Sequence, residues 1–165
     1  MIRVRFVTSK GLSSEFIRLD GGVSMPFTPS HTEALTQDGK GYIGARIGSG
    51  ITLQPVGYDA DTLLTLPDGT KSERIVSLPC TTEQEAAFYS FVQSKIGEPY
   101  DIRALLGFVD PAHEHEIDHA ICSAFMTQSL RDGCSYFKWP LTKPFHRISP
   151  DMLFLMLSSH VEIDH

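Results

Sequence analysis

The chain opens on strict alternation. Ile2, Val4 and Phe6 are apolar while Arg3 and Arg5 are charged, a period-two pattern that predicts a strand over about Ile2 to Thr8. The stretch "LSSEFIRLDGG" that follows predicts a short helix, capped by Ser13 or Ser14 and ended at Gly21 and Gly22. Next, "SHTEALTQDGKGYIGARI" predicts a β-hairpin, with strand-like segments on both sides of Asp38-Gly39. That pair suits a type I′ turn, whose two central residues both need positive φ. "GITLQPV", "TLLTLPDG" and "SERIVSLP" continue the strand-rich half, and Asp68-Gly69 marks a further turn.

The second half changes period. In "TTEQEAAFYSFVQSKIG" a capping pattern at Thr81/Thr82 with Gln84/Glu85 precedes an apolar face of Ala87, Phe88, Phe91, Val92 and Ile96, with Gly97 as the stop. A second helix is predicted from near Cys122 to Gly133. "SPDMLFLML" predicts a third, with Ser149 as cap and Pro150 at the first helical position. Strands and helices are partly segregated, which points to an α+β fold with an antiparallel sheet packed against helices.

With 165 residues and 41% hydrophobic content, the chain can bury one core, and we read residues 1–165 as a single domain. No repeat or low-complexity tract divides it. The net charge of −6 and the lack of a Lys/Arg stripe argue against nucleic acid as a partner. No apolar run approaches the roughly 20 residues of a membrane-spanning helix. The alternating N-terminus does not read as a signal peptide, so a cytoplasmic location is expected. Three cysteines, Cys80, Cys122 and Cys134, without CxxC spacing suit a reducing compartment better than a disulfide framework. Oligomeric state is not legible.

Cys122 carries the candidate chemistry. A thiolate is the nucleophilic form of cysteine, and a helix N-terminus favours it through unpaired N–H groups and the helix dipole. Its partner would be a base within hydrogen-bond reach, and His31 on the first hairpin strand is the candidate. The competing reading makes Cys122 a small buried apolar residue. "AHEHEIDH" sets His113, His115 and His119 beside Glu114, Glu116 and Asp118, but in no recognised ligand spacing. It is read as a solvated loop rather than a metal site. The C-terminal "HVEIDH" is read as a frayed tail.

"GEPYD" followed by "CSAF" resembles the G-x-P-Y … DCSG pattern of papain-like NlpC-type cysteine peptidases, and "SHTEALTQDGKGYI" resembles their histidine hairpin. The order is reversed, histidine before cysteine. It is similar to the circularly permuted branch that includes the YiiX/YaeF-like proteins and, more distantly, lecithin:retinol acyltransferase-like enzymes. "SHTE" with "ARIGSGI" is also similar to small phage and bacterial members. The resemblance implies a circularly permuted papain-like fold, with Cys122 as nucleophile, His31 as general base and acid, and Tyr100 lining the site.

The orienting residue is read from the hairpin. Relatives often place an acceptor on the strand after the histidine, where this chain offers only Arg46, which cannot accept. Glu33 shares a strand face with His31 and is the expected orienter; the alternative is a rim ion pair between Glu33 and Arg46. Arg46, on the His31 face, and Ser123, beside the nucleophile, complete the expected substrate-binding set. Arg46 further suggests a carboxylate on the substrate unless it pairs with Glu33. The expected function is hydrolysis of an amide or peptide bond, cell-wall-derived peptides included, by a Cys-His mechanism without a cofactor. The alternatives are a lipid-directed acyltransferase or thioesterase, and a non-catalytic binding or assembly protein with the same shell.

Overall fold

In the computed structural model, the described residues are 1–10, 27–46, 48–66, 69–99, 122–137, 148–158 and 163–164. The predicted helix in "LSSEFIRLDGG" and the histidine-rich tract lie outside them. The strands are β1 (Ile2–Val7), β2 (His31–Leu35), β3 (Gly41–Arg46), β4 (Gly50–Pro55), β5 (Glu73–Leu78) and β6 (Ile163–Asp164). They form one sheet in the order β4-β3-β2-β1-β5-β6, with every neighbouring pair antiparallel. Helix α1 spans Thr82–Ser94, α2 spans residues 122–128, and α3 spans Pro150–Ser158. The architecture is α+β, as the segregation of periods predicts.

Alternation explains which face of the sheet meets the helices. Ile2, Val4 and Phe6 on β1, Ala34 on β2, Ile43 and Ala45 on β3, and Val76 and Leu78 on β5 are all buried in one core with Phe88 and Val92 of α1, Phe125 and Met126 of α2, and Leu153 of α3. Phe154 of α3 meets Phe6 edge-on at 5.2 Å and Phe27 at 5.1 Å. Helix α1 begins with the predicted capping box, Thr81 bonding the Gln84 N–H and the Gln84 side chain bonding back to Thr81 N. Its buried face is Phe88, Tyr89 and Val92, while Ile96 is exposed. The helix ends at Ser94 with Lys95 as its C-cap, earlier than the expected stop at Gly97, whose N–H joins Ile51 O of β4.

The tip of the β2–β3 hairpin differs from expectation. Gly39 has φ +74°, but among the described residues Ser135 alone of the non-glycines has positive φ. Asp38 therefore does not complete a type I′ turn. Its Oδ1 instead accepts from Thr36 Oγ1 at 2.7 Å and from Lys40 N at 3.1 Å, while Arg3 of β1 donates to the carbonyls of Thr36 and Gln37. Side-chain bonds satisfy the loop, so only one residue need be left-handed.

Other differences also have local causes. Among its described residues, "TLLTLPDG" makes no strand, only isolated bridges of Leu63 to Ser9 and Thr65 to Lys71. Residues 56–62 are turns, whose successive bonds from Tyr58 N to Pro55 O and Thr62 N to Asp59 O divert the chain from the sheet. The C-terminal tail is not wholly frayed, because Ile163 and Asp164 pair with Val76 and Ile75. Helix α2 runs on into a π-turn over Ser129–Gly133, ending where predicted.

Replacing Thr81 by Ala removes the cap of α1 and is expected to cost about 1 kcal/mol, read as a lower urea midpoint with unchanged slope. Thr81→Asp, which can still accept from the N3 amide, should remain near the parent.

Candidate active site

Arg5 sits in the middle of β1 and is only 2% exposed. A buried guanidinium needs its donors filled and its charge matched. Asp59 accepts two bonds from it at 2.9 Å each, Glu73 of β5 accepts from Nε at 2.5 Å, and Glu33 of β2 accepts from Nη1 at 3.0 Å. The guanidinium also lies over the Tyr42 ring of β3, 4.1 Å from its centroid. One side chain thus ties together three strands and the 56–62 segment, and rests on a fourth strand.

Register places Glu33 at this hub, since β1 and β2 pair Arg5 with Glu33 and Val7 with His31. The β2–β3 register of Ala34 to Ile43 and Leu35 to Tyr42, continued along the strands, sets Gly44 across from Glu33 and Arg46 across from His31. This is the alignment the hairpin sequence implies. A Cβ on Gly44 would lie 2.8 Å from Glu33 Cγ and 3.2 Å from its Oε1, so the missing side chain makes room for the carboxylate.

Glu33 is 1% exposed, and a rim ion pair with Arg46 does not describe it. Its Oε1 accepts from Tyr58 OH at 2.9 Å and Arg46 Nη2 at 3.0 Å. Arg46 also bonds the Tyr58 hydroxyl and stacks 4.2 Å above the Tyr58 ring. His31 Nε2 lies 3.2 Å from the same Oε1, off the alignment of a true hydrogen bond. Two arginines face three carboxylates, Glu33, Asp59 and Glu73. Among the described residues the carboxylates outnumber the arginines here, which favours an imidazolium at His31.

His31 also touches Cys122. The helical spacing that buries Phe125, Met126 and Leu130 in the core carries Cys122 on the same side of α2, and the protonated imidazole donates a hydrogen bond to its sulfur. Burial pulls the His31 pKa down, but negative charge and hydrogen bonding at Cys122, followed by Glu33, outweigh it and push the group up to about 10. Glu33 moves the other way. Burial would raise it, but His31, then Arg46 and Arg5, bring it down to about 2. The ring retains 20% exposure, whereas Cys122 has none.

The structure thus brings three expected residues, Cys122, His31 and Glu33, into one row. Arg46 joins the row through Glu33, and its engagement there withdraws the inference of a substrate carboxylate. Ser123 is fully buried like its neighbour. Tyr100 lies outside the described residues. Arg5, Tyr58, Asp59 and Glu73 were missed by sequence reasoning. The opposite charges of Arg5 and Glu33 were visible, but no short turn joins their strands to reveal their register. Cys134 is buried, its Sγ 3.4 Å from Leu130 O, and burial pushes its thiol up to about 11.

An α+β sheet carrying a buried cysteine–histidine–glutamate row defines the class of site. No protein-family model matches the sequence, and a search of curated proteins gave no match. Among solved structures, the chain is similar to the crystal structure of the metalloprotein YiiX from Escherichia coli O157:H7, with TM-score 0.50 and 17% identity over 80% of this chain. The match spans 64% of that longer chain. The likeness is one of fold.

Two outcomes follow from the buried carboxylate. Because the Glu33 pKa is lowered from 4.5 to about 2, its ionisation stabilises the fold above pH 4.5, and that contribution is lost as pH falls through about 2. Glu33→Gln should be destabilised by roughly 3 to 5 kcal/mol at pH 7 and should show a flatter loss of urea midpoint between pH 4.5 and 2 than the parent. Gly44→Ala should cost about 1 to 3 kcal/mol by overpacking against Glu33, measured by the same denaturation.

Proposed function

We propose that this chain is a cysteine hydrolase of the circularly permuted, papain-like NlpC type, cleaving an amide, peptide or ester bond. The observation that carries the reading is the buried contact of Cys122 with His31, backed by Glu33. The order of His31 before Cys122 and the YiiX-like fold support the permuted arrangement.

With Nε2 turned to Glu33, Nδ1 is the ring nitrogen left for the thiol. His31 takes the thiol proton, and Cys122 Sγ attacks the substrate carbonyl. The carbonyl π pair moves to oxygen, where the Cys122 backbone N–H is the expected donor. Collapse of the tetrahedral intermediate breaks the bond to the leaving group, which takes its proton from the His31 imidazolium. Water then gives a proton to His31 and attacks the acyl-cysteine, and breakdown of that second intermediate returns the thiolate and releases the acid. Glu33, held anionic by His31, Arg46 and Arg5, orients the ring and matches its charge without accepting its proton.

Incubation with a panel of peptide amides and activated acyl esters tests the reading, with mass analysis of the intact protein. A Cys122 acyl adduct that turns over on amides, and is absent in Cys122→Ala, is the expected result. An adduct formed only with fatty acyl esters, without amide turnover, would assign the acyltransferase alternative instead. Product formation unaffected by Cys122→Ala would end both readings.

Reactivity can be checked without a substrate. A base in contact with a cysteine takes up the thiol proton and so favours the nucleophilic form. Iodoacetamide labelling of Cys122 at one fixed pH should therefore slow in His31→Ala, while labelling of Cys80 in the same sample stays at the parent rate and serves as the internal reference. An unchanged ratio of the two labelling rates would contradict the pair.

A further inference from the structure

Glu33 Oε1 is crowded. A carboxylate oxygen offers about two lone-pair directions, yet Tyr58 OH at 2.9 Å, Arg46 Nη2 at 3.0 Å and His31 Nε2 at 3.2 Å converge on it. The first two are aligned hydrogen bonds, and the third is not. Nor can the carboxylate readily turn its other oxygen to the histidine. Oε2 is held by Arg5, which Asp59 and Glu73 hold in turn.

Tyr58 enters from outside the sheet. It follows Gly57, whose φ is +82°, and its N–H bonds Pro55 O at 3.2 Å. Its neighbour Asp59 grips Arg5, so one short segment anchors the hub and delivers a hydroxyl to Glu33. The Tyr58 ring is stacked by Arg46 and meets Tyr42 edge-on at 6.2 Å. That packing holds the hydroxyl in place independently of the bond it makes.

We propose that Tyr58 is a positioning residue that moderates the hold of Glu33 on His31: its O–H occupies a lone pair of Oε1 that would otherwise accept an aligned bond from Nε2. The proposal rests on the hydrolase reading and deepens it. An imidazolium bound too firmly by its carboxylate is a poor acid, and His31 must release its proton to the leaving group within each cycle. Sharing Oε1 keeps the ring oriented while leaving that proton transferable.

Several charges face this pair. Cys122 of α2 and Arg46 of β3 face His31; Arg5 of β1, Arg46 and Tyr58 face Glu33, with Asp59 and Glu73 acting through Arg5. The test therefore isolates Glu33 by working in a Cys122→Ala background, where the thiol no longer contributes. His31 is titrated by NMR of protein with 15N-labelled histidine, its signal assigned by loss in His31→Gln. Tyr58→Phe keeps the ring and deletes one donor. It should raise the His31 midpoint by about half to one pH unit, and Glu33→Gln should lower it. With Glu33→Gln already present, Tyr58→Phe should have almost no effect, because the two act through one contact.

A midpoint that stays or falls in Tyr58→Phe, while Glu33→Gln lowers it, overturns the role of Tyr58 and leaves the hydrolase reading standing. A midpoint indifferent to Glu33→Gln overturns the Glu33–His31 pair and the proposal with it. Should Tyr58→Phe not fold, 3-fluorotyrosine at position 58 supplies the converse. It is a stronger donor, so the midpoint should drop, and a rise or no change would overturn the proposal.

Discussion

The buried guanidinium of Arg5 is the constraint on which the site depends. A cation with 2% exposure in the central region of a sheet is tolerable only if carboxylates surround it in good geometry. Three do, and they come from β2, β5 and the 56–62 segment. Satisfying Arg5 therefore draws β2 into register with β1, pulls a connection off the sheet edge and turns Glu33 inward. The apolar face of the sheet supplies most of the burial. The charged face determines which side chains meet.

That distribution of charge has a chemical consequence. Glu33 sits where its ionised form is favoured by His31, Arg46 and Arg5 against the penalty of burial, so it is suited to orient and neutralise rather than to take up a proton. His31 is raised by the opposite logic, through Cys122 and Glu33. Among the described residues of this network the carboxylates outnumber the arginines, and the imidazole is placed to carry a further positive charge. The same ion-pair architecture that stabilises the strands also biases the protonation of the proposed catalytic pair.

Legibility was greatest where a local rule decided the structure. The capping box of α1, the strand period of β1, the β2–β3 hairpin and the end of α2 at Gly133 each depend on residues close together in sequence. Errors arose where a local rule had a competitor. Asp38 could have adopted positive φ, but its carboxylate bonds Thr36 and Lys40 instead, and the turn changed type without changing the register. Leu63 to Leu66 had strand-like composition, but residues 56–62 close on themselves through turns, leaving isolated bridges.

By itself, the sequence determined the α+β character, most of the strand and helix positions, and the set Cys122, His31 and Glu33 as candidates, because periodicity, caps and a two-residue spacing on one strand act over short distances. Only the tertiary structure decided that Glu33 is buried, that Arg5 rather than Arg46 forms its deeper anchor, and that Tyr58 and Asp59 belong to the site at all. Those contacts join positions 28 and 54 residues apart from Arg5. No short-range rule encodes them, since they follow from the pairing of distant strands and from the need to match a charge that folding removes from water.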